Sequence, residues 1–321
     1  MRLIRNLDEL APARHPTVVT VGNFDGVHVA HQMLLRRMVE RARARSAAAL
    51  ALTFEPHPAK ILTPERAPKL LTPLPEKARL IEALGIDFLV ALPFTAGFAR
   101  MSPSDFVRDV LVGGLRAAAV VVGPNFRFGY RQAGDIEHLA QFARDYGFEL
   151  DILQALKVRG QAVSSTKIRE LVALGRLHLA GRLLGRAFSV SGPIVRGLGI
   201  GREQTVPTLN LAPTDRQLPK TGVYVARTRL AGREHESVVN VGRKPTFGEH
   251  EVTVESFLLD YRDGRIEADE MTIEFLHRLR DERKFPGAAA LKTQILKDAG
   301  RALRLFRLLR LFEVHSLKAL E

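Results

Sequence analysis

The sequence predicts two domains, an α/β domain built on a parallel sheet and a smaller antiparallel β-sheet or barrel domain. Residues 1–183 alternate apolar strand-like runs with helix-like segments, whereas residues 184–310 consist mainly of closely spaced strand-like runs. The length of 321 residues also suits two domains better than one. We expect the domain boundary near Gly181–Arg186 and a C-terminal tail over residues 311–321.

The first domain is predicted to alternate five strands with four helices. The strands are the apolar, β-rich runs Thr17–Val21, Ala49–Phe54, Phe88–Leu92, Ala118–Val122 and Glu149–Leu153. The helices between them are expected at Gln32–Arg45, Glu76–Leu84, Ser102–Val112 and Asp135–Tyr146. Ser102 is the expected N-cap of the third helix, with Pro103 in its first turn. This alternation predicts a parallel sheet covered by helices.

The second domain is predicted to contain short strands followed by a helix. The strands are expected at Phe188–Val190, Val206–Leu211, Gly222–Arg229, Glu236–Val241, Val252–Asp260 and Glu270–Phe275. A helix is predicted over residues 276–300. The arginine-rich end of the chain then carries an apolar stripe of Leu303, Phe306, Leu309 and Leu311. We expect this stripe to dock onto the second domain rather than bind a membrane interface.

Composition narrows the functional class. The net charge of +13 and the pI near 10.4 favour anionic partners such as nucleotides or nucleic acid. The chain has no cysteine, which excludes disulfides, thiolate zinc sites and a cysteine nucleophile. The first residues lack the apolar core of a signal peptide, and no apolar run reaches membrane-spanning length. We therefore expect a cytoplasmic protein with no membrane partner.

Four polar motifs follow predicted strands or enter a helix, at the edge where parallel sheets bind ligands. They are GNFDGVHVAHQ at Gly22–Gln32, TFEPHP at Thr53–Pro58, GPNFRFG at Gly123–Gly129 and SSTKIR at Ser164–Arg169. In the first motif, a strand, a glycine-bearing turn and a helix start form an anion-binding geometry, and His28 and His31 share one helix face. Each motif alone is also compatible with an ordinary turn or N-cap. Their convergence favours a phosphate site.

The second domain has a glycine- and arginine-rich segment at Gly192–Arg202, followed by Thr208 and Asn210 in a predicted strand. Because side chains alternate along a strand, Thr208 and Asn210 point to one face and can hold Mg²⁺ beside phosphate oxygens. An ordinary turn and edge strand would explain the same pattern. Glu255 lies in an otherwise apolar strand, where a general base and a solvent-facing residue are about equally good interpretations.

These motifs, in this order, resemble those of the bacterial bifunctional riboflavin kinase/FMN adenylyltransferases, also called prokaryotic-type FAD synthetases. The second domain contributes the motifs PTLN, GVY, NVGRKPTF, VESFLLDY and FLHRLRDERKF. The resemblance implies a Rossmann-like nucleotidyltransferase domain followed by a six-stranded antiparallel β-barrel with a C-terminal helix. It implies that riboflavin and ATP give FMN, that FMN and ATP give FAD and pyrophosphate, and that Mg²⁺ takes part.

The resemblance also implies the site residues of the first domain. The nucleotide loop consists of Gly22, Asn23, Phe24 and Asp25. His28 and His31 contact the ATP phosphates. The triphosphate is closed from the opposite side by Ser164, Ser165, Thr166 and Arg169. The FMN side is formed by His57 and the Asn125 loop, which includes Phe126, Arg127 and Phe128.

In the second domain, the resemblance implies a kinase site. ATP is covered by the segment that contains Gly192, Arg196, Gly197, Gly199 and Arg202. Thr208 and Asn210 bind Mg²⁺, and Glu255 accepts the proton of the ribityl 5′-hydroxyl. Arg283 belongs to the flavin-side helix region.

The sequence departs from the family's usual pattern in three places: at Ala30, where glycine is usual, at Ser256-Phe257 after the expected base, and in a longer tail beyond Gly300. One alternative is an adenylyltransferase whose second domain only binds flavin, and another is a different nucleotidyltransferase with paired histidines. A basic nucleic-acid-binding protein is the non-enzymatic alternative, but 7% aromatic residues and the absence of tryptophan speak against it. We expect a monomer or weak homo-oligomer that acts on ATP, riboflavin and FMN.

Overall fold

The computed structural model describes residues 1–10, 16–195, 208–243, 252–260 and 268–318. The chain divides into two compact units, Met1–Ser165 and Thr166–Glu321. The predicted domain boundary near residue 183 stays a prediction.

A parallel sheet forms the first unit, with six strands among the described residues. The strands are β1 (Arg2–Ile4), β2 (Thr17–Val21), β3 (Ala48–Glu55), β4 (Phe88–Pro93), β5 (Ala117–Val122) and β6 (Glu149–Ile152). Their order is β1-β4-β3-β2-β5-β6, and all neighbouring pairs are parallel. The predicted strands are confirmed, and β1 is an addition. The order reverses between β2 and β5, so the crevice beyond the carboxyl ends of these strands is the expected ligand site.

Helices cover both faces of the sheet. They are α1 (Val29–Ala44), α2 (Pro58–Leu62), α3 (Leu74–Glu82), α4 (Pro103–Asp105) and α5 (Ile136–Tyr146). A π-helical segment, Phe106–Gly114, continues α4 directly. Short 3₁₀ turns cover Leu7–Leu10, Pro64–Arg66, Phe98–Arg100 and Tyr130–Gln132, and a hairpin is formed by β7 (Lys157–Val158) and β8 (Gln161–Ala162). As predicted, Ser102 caps α4, because its hydroxyl accepts the Asp105 N–H at 3.0 Å.

Successive residues of the strands point to opposite faces of the sheet and pack into two separate hydrophobic cores. Val19 of β2 packs in a cluster with Val120 and Phe106, whereas its neighbour Val18 belongs to a cluster with Leu35 and Met38 of α1. A sheet that is buried on both faces explains why its strands are continuously apolar instead of alternating between apolar and polar residues.

The second unit contains an antiparallel barrel that is closed by six strands of its described residues. These are β9 (Phe188–Val195), β10 (Leu209–Leu211), β11 (Gly222–Leu230), β12 (Arg233–Arg243), β13 (Val252–Leu258) and β14 (Glu270–Arg280). Around the barrel the order is β10-β13-β12-β11-β14-β9, with β9 pairing again with β10. Its helices are α6 (Ser165–Ala173), α7 (Leu177–Leu184) and α8 (Ala288–Lys318). The barrel expected from the sequence is confirmed.

The predicted helix over residues 276–300 is wrong in its first part. Residues 276–280 continue β14, which pairs with β11 and β9, and α8 begins only at Ala288. Leu276 and Leu279 lie three residues apart, which suggested a helix, but both pack on the outer face of the barrel from an irregular strand.

The long helix α8 packs against the outer face of the barrel. Ala302 and Phe306 form a core with Val223, Val225 and Val238 of the strands. Docking of the chain's end is thus confirmed for Phe306 and for Leu309, which packs against the same core. It is wrong for Leu303 and Leu311, because both side chains are exposed. Within the described part of the chain, no helix has both the length and the apolar character needed to cross a bilayer.

Candidate active sites

The loop after β2 is a strained left-handed turn that leads into α1. Phe24 and Val27 have φ angles of 47° and 39°, and Gly26 between them has 85°. Phe24 and Val27 are both buried, so core packing holds a backbone conformation that these residues rarely adopt. A turn of this kind at a helix N-terminus is a common form of phosphate-binding site.

The side chain of Asp25 fixes this loop to the segment before α3. Its buried carboxylate accepts hydrogen bonds from the Leu71 N–H at 3.0 Å and from the Thr72 N–H at 2.9 Å. The Thr72 hydroxyl in turn accepts the Gly26 N–H at 2.8 Å. On the other side, the Ser165 hydroxyl donates to the Asp25 backbone carbonyl at 2.8 Å. Asp25 and Ser165 therefore shape the loop from within the protein.

His28 and His31 stack on each other where α1 begins. Their ring centroids are 3.5 Å apart with an interplanar angle of 15°. His28 is the N-cap, and its Nδ1 accepts the His31 backbone N–H at 3.2 Å. Because an accepting Nδ1 carries no proton, the neutral His28 ring has its proton on Nε2. Ala30 between them lies in the first turn of α1 without a positive φ, so the backbone conformation at this position does not require glycine.

The surroundings of His31 favour its neutral form. Burial lowers the pKa of His31 well below its ordinary value, and the charges of His28 and Lys77 lower it further. Its Nδ1 is buried and has no hydrogen-bond partner among the described residues. The ring of Phe24 meets that of His31 edge-on, at 5.3 Å between centroids. A nitrogen buried without a partner indicates a group that awaits a ligand.

Lys77 of α3 also reaches the loop, although the sequence motifs did not include it. Its ammonium donates to the Asn23 carbonyl at 2.7 Å, and only 4% of the residue is exposed. A signal was available in the sequence, because Lys77 lies on the same helical face as the buried Leu74 and Ile81. A lysine in the apolar stripe of a helix is expected to be buried, and a buried lysine is rare unless another group pairs with its charge.

The predicted flavin-side residues lie around a chain of phenylalanine rings. Neighbouring ring centroids are 5.4 to 6.3 Å apart in Phe54, Phe94, Phe98, Phe106, Phe126 and Phe128. His57, three residues after Phe54, caps α2 by accepting the Ala59 N–H at 3.2 Å. At the other end of the chain, Asn125 is exposed beside Phe126, and the exposed Arg127 pairs with Asp135 at 3.2 Å. The structure thus brings both predicted loops to one aromatic wall.

Two further predicted residues belong to the other unit. Ser164 is exposed at the end of the first unit, immediately before α6. Thr166 and Arg169 belong to the second unit. Their part in the first-unit site stays a prediction.

In the barrel, Asn210, Glu255 and Asn240 form one cross-strand row. Asn210 of β10 and Asn240 of β12 are both opposite Glu255 of β13 in register. Residues opposite each other in antiparallel strands point to the same face. Phe257, two residues after Glu255 and on the same face, packs against the α8 core, so the row lies on the outer face of the barrel. Asn240 is a polar member of this row that the sequence analysis missed.

The other predicted kinase residues are only partly described. Gly192 lies inside β9 opposite Met271, so residues 192–195 extend a strand and do not form the loop that was expected there. Arg196, Gly197, Gly199 and Arg202 lie outside the described residues. Thr208 is exposed immediately before β10.

Arg283 belongs to a polar network at the start of α8. It donates to Gln294, and its guanidinium lies 4.7 Å from the centroid of the Phe285 ring. Gln294 donates to Asp298 at 2.7 Å, and the buried Asp298 pairs with Arg280 at 2.8 Å. This network anchors Arg283 beside the helix, and its place on the flavin side stays a prediction.

Comparisons with known proteins cover both units. The family model for FAD synthetase matches residues 10–167, and the model for riboflavin kinase matches residues 184–306. The chain is 36% identical to the bifunctional riboflavin kinase/FMN adenylyltransferase of Pseudomonas fluorescens, covering 94% of this chain and 98% of that protein. It is 34% identical to the protein of the same name from Escherichia coli strain K12, covering 96% and 99%. A crystal structure described as a macrolide-efflux protein from Streptococcus pneumoniae is similar with a TM-score of 0.83 and 26% identity, over 94% of this chain and 98% of that one.

Proposed function

The chain belongs to the bacterial bifunctional riboflavin kinase/FMN adenylyltransferase family, and on this premise we propose which residues carry out each reaction. The protein phosphorylates riboflavin to FMN with ATP, and it adenylylates FMN with a second ATP to give FAD and pyrophosphate. We assign adenylylation to the loop at the end of β2 and phosphorylation to the outer face of the barrel.

Adenylylation brings two anions together. An oxygen of the FMN phosphate attacks the α-phosphorus of ATP, and pyrophosphate leaves with the electron pair of the broken bond. Such a transfer needs positioning and charge neutralisation rather than a covalent intermediate. The His28 Nδ1 accepts the His31 N–H, so the proton of the neutral ring lies on Nε2, and we assign this N–H to a contact with the ATP phosphates. The unpartnered, buried Nδ1 of His31 supports a second contact to the nucleotide.

We place the flavin of this reaction against the phenylalanine wall. Phe126 and Phe128 are stacked with 18° between their ring planes, and the other rings meet at steeper angles, so the wall offers aromatic faces and edges to a planar ring system. Asn125 and His57 lie at the ends of this wall, where they can hydrogen-bond the polar edges of a flavin. The exposed Arg127 gives that end of the wall a cation for an FMN phosphate.

Phosphorylation requires a base for the ribityl 5′-hydroxyl, and we assign this role to Glu255. The half-buried carboxylate lies between two amides in register, Asn210 and Asn240, which can hold its orientation and contact the phosphates. The hydroxyl oxygen then attacks the γ-phosphorus of ATP, its proton passes to Glu255, and ADP leaves.

Mg²⁺ fits the oxygen donors of this face. The side chains of Thr208 and Asn210 offer hydroxyl and amide oxygens, which are hard donors of the kind that Mg²⁺ prefers. Bound there together with ATP, Mg²⁺ would neutralise charge on the transferred phosphate. Within the described part of the chain, no group of three or more His, Asp or Glu residues forms an alternative metal site.

The chemistry of the substrates also bears on the partners and the cellular compartment that we propose for the enzyme. ATP, riboflavin and FMN are small molecules, and the phosphates of two of them account for a basic protein without a nucleic-acid partner. We propose a cytoplasmic monomer or weak homo-oligomer with no membrane partner. The absence of cysteine is compatible with a reducing compartment.

The observation that carries these assignments is that each unit holds its own polar constellation, the stacked histidines in one and the Glu255 row in the other. The test incubates the protein with riboflavin, ATP and Mg²⁺ and separates the flavins by chromatography. Loss of one positioned donor costs on the order of 10²–10³ in rate. We expect His28→Ala and His31→Ala to stop at FMN, and Glu255→Gln to leave riboflavin unchanged while still converting added FMN to FAD.

Two matched controls separate these effects from general damage. His178→Ala removes an exposed histidine of α7, and Glu270→Gln removes an exposed carboxylate of β14. Both should make FMN and FAD at normal rates. If a histidine variant lost both products together, the assignment of the two reactions to separate units would be wrong. Near-normal FMN synthesis by Glu255→Gln would remove Glu255 as the base.

A further inference from the structure

Lys77 is a buried cation whose hydrogen-bonding capacity is mostly unused. An ammonium has three N–H donors, and among the described residues the Lys77 Nζ has one acceptor, the Asn23 carbonyl at 2.7 Å. Only 4% of the residue is exposed, so water cannot hydrate the ammonium as it does a surface lysine. Burying a charge in this way is costly unless the charge is compensated. A lysine with a purely structural role in α3 could be replaced by an apolar residue such as Leu74 or Ile81 beside it.

The groups around Lys77 come from three elements. Burial lowers the pKa of Lys77, whereas the carboxylates of Asp25 in the loop and Glu55 at the end of β3 raise it and so favour the charged ammonium. The charge of Lys77 in turn lowers the pKa of His31 of α1. The Asp25 carboxylate is already engaged by the backbone of Leu71 and Thr72. The neighbours of His31 are the ammonium of Lys77 and the stacked ring of His28, and both lower the pKa of His31. The permanent positive charge of this loop therefore lies on Lys77, since the accepting Nδ1 of His28 carries no proton and burial lowers the pKa of His31.

We propose that Lys77 provides the fixed positive charge of the adenylylation site and holds the phosphate loop through Asn23, so that His28 and His31 act as neutral hydrogen-bond donors. The inference rests on the assignment of adenylylation to this loop. Lys77 acts as a positioning residue, because its described contact is with the loop backbone. Its charge favours the approach of the two anionic substrates, and its hydrogen bond fixes the peptide between Asn23 and Phe24.

Removal of this charge has a consequence that a structural role would not produce. Lys77 opposes protonation of His31 and lowers the pKa of that ring. In Lys77→Met, the opposing charge is gone while Asp25 and Glu55 remain, so His31 takes up a proton at a higher pH. A protonated His31 then replaces part of the lost positive charge. The remaining activity of this variant should therefore rise as the pH falls.

The experiment supplies FMN and ATP directly and measures FAD formation from about pH 5 to about pH 8, the range in which histidines titrate. We expect Lys77→Met to lose on the order of 10² in kcat near pH 8 and to regain part of this loss toward pH 5. Lys77→Arg keeps the charge and should retain most of the activity and the profile of the unchanged protein. Arg79→Met is the matched control, because Arg79 is an exposed cation on the same helix and should have no effect.

Folding of each variant is checked by FMN formation from riboflavin and by the thermal unfolding curve. Activity of Lys77→Met within threefold of the unchanged protein, or a loss of equal size at every pH in a chain with a normal unfolding curve, would overturn the inference. Should Lys77→Met unfold, Lys77→Arg decides alone, and a tenfold loss in that folded variant would also overturn it. Failure of the site assignment itself is distinguishable, because His28→Ala would then still make FAD.

Discussion

At the scale of single residues, the loop that we propose for adenylylation is held by buried polar groups that bind the protein backbone. Asp25 is the clearest example, because its carboxylate accepts two backbone N–H groups and the Thr72 hydroxyl. In Asp25→Asn, an amide N–H₂ would replace one of the accepting oxygens and face a backbone donor. A buried donor left without a partner costs about 1–3 kcal/mol.

We therefore expect Asp25→Asn to lower the unfolding free energy by about 1–3 kcal/mol and to reduce FAD formation, with FMN formation unaffected. Asp145→Asn is the control, because this exposed residue of α5 should change stability by less than about 0.5 kcal/mol. Denaturant unfolding of both variants, together with the chromatographic assay, makes the comparison. An Asp25→Asn variant as stable and active as the control would contradict the role of this carboxylate.

Residue identity could be predicted from sequence better than side-chain direction. The Gly22–Gln32 motif located His28 and His31 correctly at the start of α1. The same motif included Phe24 and Asp25 among the nucleotide-loop residues, yet both side chains point into the protein. Lys77 and Asn240 were missed because a lysine in a helix and an asparagine at a strand end are common solvated residues. Only the packing of α3 and the register of β12 with β13 show what they face.

At the scale of elements, the departure from the family pattern at Ser256-Phe257 has a structural explanation. Ser256 points into the barrel, where its hydroxyl is 2.8 Å from that of Thr228, which also contacts Ser237 at 2.9 Å. Phe257 points outward and packs against the α8 core. The two positions after Glu255 therefore serve the barrel's interior and its helix, which leaves the strand free to present the carboxylate.

The packing of α8 on the barrel can be tested at Phe306, which is fully buried against strands β11 and β12. Phe306→Ala should destabilise the second unit by about 3–5 kcal/mol, since it removes a ring from a closed core. Leu308→Ala changes an exposed residue two positions along the same helix and should cost little. In rising urea, kinase activity of Phe306→Ala should disappear well before that of Leu308→Ala. Equal urea sensitivity would mean that α8 does not hold the barrel together.

Helices and strands could be predicted from the sequence where the spacing of apolar residues matched only one of the two. Strand and helix alternation in the first unit predicted the doubly covered sheet, because a sheet buried on both faces leaves continuous apolar runs. The signal failed at residues 276–280, where leucines three apart in a bulged strand imitate a helix. The order of the strands could not be read from this alternation, because the pattern does not show which strands pair, and the pairing of β5 with β2 is known only from the structure.

At the scale of the whole molecule, the two reactions are divided between units that have separate cores. The sheet unit contains two apolar clusters, and the barrel forms another with α8. The two family models also match separate segments, residues 10–167 and 184–306. Each site is built from its own unit in our assignment, apart from the contribution predicted for Thr166 and Arg169. A defect in one unit should therefore leave the other reaction intact.

This separation predicts that two full-length variants, each inactive in one of the two reactions, complement each other. Glu255→Gln alone should leave riboflavin unchanged, and His28→Ala alone should accumulate FMN. Mixed in equal amounts with riboflavin, ATP and Mg²⁺, the two variants should produce FAD after a lag, because FMN released by one chain is adenylylated by the other. The lag should disappear when FMN is added at the start. A mixture that forms FMN but no FAD would show that FMN made at the barrel does not reach a separate chain, and free exchange between the two sites would have to be abandoned.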